Sequence, residues 1–214
     1  MRLVYINPNS TAAMTDGIVA TARLALPEAE IIGLTNTQGP PSIQGPEDGA
    51  AAVPGLLELI ATTQADAIVI GCFDDTGLDA AQKIVPCPVI GIGQASFVMA
   101  ALLGKRFSVV TSLAVSVPVI EGNIRATGHS ARCVSVRASG LPVLTIDEAS
   151  EDTRAKLAQS FLQARDEDGA EAIVLGCAGM APLASDLESR TGLPLIDGVK
   201  AAAHLARAAA GFRG

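Results

Sequence analysis

A chain of 214 residues with 49% hydrophobic, 3% aromatic and 17% charged residues is too apolar to be disordered and long enough to bury a sizeable core. Its net charge of −7, absence of Trp and single Tyr argue against nucleic acid and anionic membrane surfaces as partners. The longest apolar stretch, near residues 95–103, is too short to cross a bilayer, and four Cys are too few for a disulfide scaffold.

The N-terminus, MRLVYINPNS, reads straight into a strand and lacks the features of a secretion signal, so the cytoplasm is the expected compartment. There the cysteines are expected as thiols or as a redox pair. Short β-branched runs follow at residues 3–6, 30–34, 67–71, 89–92, 107–111, 132–136, 172–176 and 195–196. They are nearly continuous apolar runs, as in parallel strands covered on both faces. Helical patterns separate them. Ser10 is placed to cap a helix in which Met14, Ile18, Ala22 and Leu26 share a face. Residues 46–63 carry Val53, Leu56, Leu57 and Ile60, and Asp147 opens a helix running towards Asp168. This alternation predicts an α/β fold with parallel sheets.

The chain also repeats itself. DAIVIGC at residues 66–72 matches EAIVLGC at 171–177, and Pro88-Val89-Ile90 matches Pro194-Leu195-Ile196. Arg2–Ile6 resembles Arg106–Val110 in nearly the same register. The repeat predicts two similar lobes, residues 1–103 and 104–214, each a four-stranded parallel sheet flanked by helices. A pseudo-twofold relates them, with the active site between them. The Ala-rich C-terminal helix is expected to cross back and complete the first lobe.

Ligands sit at the carboxyl ends of parallel strands. Cys72 and Cys177 each follow the third strand of a lobe, directly after a glycine. A following helix end would favour thiolate there. Two such thiols facing one cleft suit a two-base reaction, in which one sulfur removes a proton and the other returns one to the opposite face. Buried structural thiols and a reversible disulfide are the competing readings. Cys87, between two prolines, and Cys133, inside a strand, are expected to have no chemical task.

INPNS at residues 6–10, GCFDDTGLDAA at 71–81 and LGCAGM at 175–180 together resemble the hydantoin racemases of the aspartate/glutamate racemase superfamily. The resemblance covers essentially the whole chain. It implies a cofactor-independent racemase with one catalytic cysteine per lobe, Cys72 and Cys177, a site between the lobes, and a homo-oligomer. Amino-acid racemases of the superfamily usually carry Thr after the second cysteine and His soon after it. Here Ala178 and Gly179 follow Cys177, and neither His129 nor His204 is near. Many relatives carry Gly-Asp-Pro-Gly after Cys-Phe in the first motif, where this chain has Asp74-Asp75-Thr76-Gly77. Decarboxylases of the superfamily need only the second-lobe cysteine.

Other residues at the expected strand ends are candidates for substrate contact: Asn9, Ile43, Gln44, Phe73, Asp74, Thr111, Ser112, Ser116, Val117, Ala178 and Gly179. Asn7 and Asn9 also suit turns, and residues 36–46 form a Gly/Pro loop that could cover the site. Asp74 and Asp75 lack further ligands at metal spacing and read as acids at a helix N-terminus; no metal is expected. GIGQAS at residues 91–96 lacks the third glycine of a dinucleotide fingerprint and reads as a strand-to-helix turn. Only Arg137 and Lys200 are basic among the strand-end residues, too few for a dicarboxylate. A small neutral cyclic substrate fits better, without pyridoxal phosphate, metal or other cofactor. The expected reaction is racemisation of 5-monosubstituted hydantoins at C5, with allantoin, then aspartate or glutamate, as rival substrates. Two non-enzymatic readings stay open: a two-lobed small-molecule-binding protein and a thiol redox sensor.

Overall fold

The computed structural model describes residues 1–213. The first half runs β1 (Arg2–Asn7), α1 (Ala12–Ala25), β2 (Glu30–Thr35), α2 (Pro46–Thr62), β3 (Ala67–Ile70), α3 (Leu78–Ile84), β4 (Val89–Gly91) and α4 (Ile92–Leu102). The second runs β5 (Phe107–Thr111), α5 (Val117–Ala126), β6 (Cys133–Ala138), α6 (Val143–Glu148), α7 (Glu151–Asp168), β7 (Ala172–Gly176), α8 (Ala184–Thr191), β8 (Leu195–Ile196) and α9 (Gly198–Arg213).

Each half builds a four-stranded, all-parallel sheet, and the strand orders correspond: β2-β1-β3-β4 and β6-β5-β7-β8. The repeated DAIVIGC and EAIVLGC segments become β3 and β7, each beside the first strand of its sheet. Both are buried along their whole length, which explains why they read as unbroken apolar runs rather than alternating ones.

One core cluster joins the halves. It takes Leu3, Tyr5 and Val69 from the first sheet, Phe107, Val109 and Val174 from the second, and Ala201, Ala202, Ala203 and Ala206 from α9. The alanines let α9 lie close against α4, α1 and β3. The Tyr5 hydroxyl donates to the Val199 carbonyl at 2.7 Å, which gives this buried phenol its partner.

Three local expectations change. Ser10 does not cap α1: Thr11 holds the cap position without a side-chain capping bond, and its hydroxyl donates to the Pro41 carbonyl instead. The helix expected from Asp147 is two helices. Ala149 takes a left-handed conformation (φ 55°), and the Ser150 hydroxyl accepts the Thr153 N–H and so starts α7. Asp75 also has positive φ (51°), and its carboxylate does not serve the helix that follows it. It reaches to the N-terminus of α4, accepting from the Gly93 N–H at 2.9 Å and the Gln94 N–H at 2.7 Å. A Cβ at Gly91 would lie 2.0 Å from the Asp75 carboxylate. The glycines of GIGQAS therefore make room for an acid, not for a nucleotide.

Candidate active site

The two sheets bring their repeated Gly-Cys segments to one narrow cleft. Cys72 and Cys177 both line it, with Asn9, Met14, Ile43, Phe73, Asp74, Thr111, Ser112, Ser116, Val143 and Ala178. The glycine before the second cysteine is a matter of space. A Cβ at Gly176 would sit 2.6 Å from the Val110 carbonyl oxygen and 2.8 Å from the Thr111 Cα, so β7 can deliver Cys177 beside the end of β5 only without a side chain there.

The thiol environments match across the repeat. Burial is the main influence on both and pushes both thiols up, Cys177 to about 12. The Asp74 charge adds to the rise at each sulfur. Against this, each sulfur receives a backbone N–H from two residues further on, Asp74 for Cys72 and Gly179 for Cys177. The Thr76 hydroxyl also donates to the Cys72 sulfur, at 3.5 Å. The expected thiolate-favouring helix ends are absent, for a structural reason. α3 begins only at Leu78, and Cys177 leads into a 3-10 turn, Ala178–Leu183, not an α-helix. Burial thus favours the protonated thiol at both positions.

Asn7 and Asn9 divide their tasks. Asn7 Nδ2 donates to Asn9 Oδ1 at 2.9 Å, to the Thr11 carbonyl and to the Thr15 hydroxyl. Asn9 Oδ1 also accepts the Thr11 N–H. With its oxygen occupied, Asn9 presents Nδ2 towards the cleft, where it meets the Met14 sulfur, a weak acceptor, at 3.5 Å. Asp74 is fixed from the second half: Ser116 donates to its Oδ2 at 3.3 Å and Asn123 Nδ2 to its backbone carbonyl at 2.9 Å. Burial raises its carboxyl to about 6, with the Ser116 bond opposing.

Several residues fall elsewhere. Gln44 does not line the cleft; its Oε1 accepts the Val143 N–H at 3.0 Å and ties the loop of residues 36–46 to the second half. Val117 also lies outside the lining, at the start of α5, and Gly179 contributes its N–H from behind Cys177. Arg137 is turned away into an ion pair with Asp168 and Glu167. Met14 and Val143 were not among the sequence candidates. Met14 carried a signal, since it heads the apolar face of α1 directly after INPNS; Val143 carried none.

A family model described as Asp/Glu/Hydantoin racemase matches residues 3–206. The chain belongs to this family. The racemase is 45% identical over 215 residues to the hydantoin racemase of Rhizobium meliloti, covering 99% of this chain and 89% of that one. Its structure is similar to that of the allantoin racemase from Klebsiella pneumoniae, with TM-score 0.94 and 38% identity over 100% of this chain and 89% of that one. The glutamate racemase from Francisella tularensis, at 18% identity, 97% and 80% coverage and TM-score 0.71, shares the fold. The racemase is thus an isomerase, and its two-lobed architecture is that of its structural neighbours.

Proposed function

We propose that this racemase inverts C5 of 5-monosubstituted hydantoins using Cys72 and Cys177 as a two-base pair. The observation that carries this reading is the lining of the cleft. The two repeat-related thiols open on one space, and no Lys, Arg or His lines it among the described residues. A dicarboxylate would bury two charges there without a cation. A neutral cyclic diamide brings none, and its C5–H is acidified by the adjacent ring carbonyl.

The step balances within the site. One sulfur, as thiolate, takes the proton from C5, and the bonding electron pair moves into the C4 carbonyl to give an enolate. The other sulfur, as thiol, gives its proton to the opposite face of C5. The thiol and thiolate have then exchanged places, so the enzyme is set for the product hand and resets through solvent. Asn9 Nδ2 supplies a donor to a ring oxygen as negative charge grows there. The backbone N–H groups of Asp74 and Gly179 serve the sulfurs themselves.

The test is racemisation of a single enantiomer of 5-butylhydantoin in deuterium oxide, followed by polarimetry and mass spectrometry. Deuterium should enter C5 as the optical activity decays. Cys72→Ser and Cys177→Ser should each lower racemisation by about a thousandfold, the scale of a positioned acid or base. Full racemisation in both directions by either variant would sink the mechanism.

A further inference from the structure

The cleft holds one charge that the proton-transfer chemistry does not need. Asp74 stands two residues from Cys72, and its carboxylate raises both sulfurs. A fixed anion beside two thiols, one of which must become an anion, works against the reaction. Its neighbour Asp75 shows what a settled buried acid looks like here, with both carboxylate oxygens bonded to backbone N–H groups. Asp74 has no such arrangement. Its Oδ2 takes a single hydroxyl from Ser116, and it enters no ion pair among the described residues. Nor is it free to swing out to solvent. Its N–H is on Cys72, its carbonyl is held by Asn123 and its side chain by Ser116. The chain thus holds a part-desolvated carboxylate in the cleft and leaves its compensation to whatever binds.

The position says which part of the substrate supplies it. The reacting carbon must lie between the sulfurs, and Asp74 lines the same cleft two residues from Cys72, so the group attached to that carbon is within its reach. Asn9 Nδ2 and the Ser112 hydroxyl line the cleft for the ring, while the Thr111 hydroxyl donates to the Gly176 carbonyl at 2.9 Å.

We propose that Asp74 is a specificity-determining residue whose carboxylate receives an N–H donor group, ureido or ammonium, on the C5 substituent, and that it rejects substituents carrying a carboxylate. This rests on the hydantoin reading above and names the substrate class within it. The shared chemistry is an N–H donor facing an anion, and such charge-assisted bonds are the strong ones.

The experiment uses matched probes: 5-butylhydantoin, 5-(3-aminopropyl)hydantoin, 5-ureidohydantoin and 5-(2-carboxyethyl)hydantoin, with wild type, Asp74→Asn and Asp74→Glu. In the wild type, kcat/KM for at least one donor-bearing probe should exceed that for the butyl probe by about tenfold or more, with the carboxyethyl probe lowest. Asp74→Asn should shrink the donor preference by about tenfold and raise the relative rate on the carboxyethyl probe, while Asp74→Glu keeps the order. Preference for the aminopropyl probe alone marks charge as the determinant, and preference for the ureido probe alone marks N–H geometry; both support the proposal. An unchanged ratio in Asp74→Asn overturns it, and equal losses on all four probes would place Asp74 on the ring instead. Calorimetric binding of the same probes reads this selectivity without turnover. Binding selectivity that depends on Asp74, with no racemisation of any probe, would refute the reaction while leaving the Asp74 assignment standing. Racemisation without selectivity would do the reverse.

Discussion

At the scale of single residues, the cleft works against ionisation of its own thiols. Cys177 is buried and Cys72 half-buried, and Asp74 adds negative charge beside each, while Asp147 adds more at Cys177. A raised thiol leaves only a small thiolate fraction at neutral pH, and that fraction grows about tenfold per pH unit below the pKa. On a neutral probe such as 5-butylhydantoin, kcat/KM should therefore rise from pH 7 to 9 with a logarithmic slope near one. Removing the carboxylate in Asp74→Asn lifts part of the penalty on both sulfurs, so this limb should move to lower pH. A plateau already reached at pH 7 in the wild type would show that the thiols ionise far more easily than their burial implies. Repeat and register bring Cys72 and Cys177 to one cleft, but burial acts on their acidity with the opposite sign to the helix ends expected there. The sign depends on where the next helix begins, and neither α3 nor the turn after Cys177 sets an α-helical N-terminus at the sulfur.

At the scale of elements, much was legible and the gaps share a cause. Strands such as β5 and β7 were readable because they are buried on both faces and bounded by turn residues. The break at Ala149 was not, since a serine capping a new helix and a serine inside a continuing one look alike until the backbone turns. Contacts across the chain were also hidden. Asp75 reaches α4 over eighteen residues, and Gln44 reaches Val143 over ninety-nine. The Gln44 contact makes the loop of residues 36–46 a strap over the cleft: Ile43 lines the site while Gln44 fastens to the N-terminal end of α6. Nearby, a Cβ at Gly45 would meet Val115 of the second half at 2.7 Å, so the fit is close on both sides. Gln44→Ala leaves the Val143 N–H without its acceptor, a loss of about 1 kcal/mol. KM should rise about fivefold with kcat less affected, and Gln44→Glu, which keeps an acceptor, should restore most of it. Steady-state kinetics in which all three enzymes share one KM would show that the strap plays no part in binding.

At the scale of the whole molecule, the duplicated sheets are not independent. Phe97 on α4 is fully buried, edge-on to Phe73 beside Cys72 at 5.8 Å and stacked on Phe107 at the start of β5 at 6.1 Å. One ring thus meets the Cys72 loop of the first half and an inner strand of the second. The core around it draws side chains from both sheets and is closed by the alanines of α9. Two halves that share a core cannot lose their packing one at a time, because unfolding either exposes the apolar face of the other. Phe97→Ala should cost about 3–5 kcal/mol, a large share of the stability of a typical domain. Calorimetry should then show a single transition at a clearly lower temperature, and racemase activity should be lost along that same transition. Two separate transitions, one retaining the structure of a single sheet, would show that the lobes fold separately and that the ring stack is a contact between domains rather than the centre of one core.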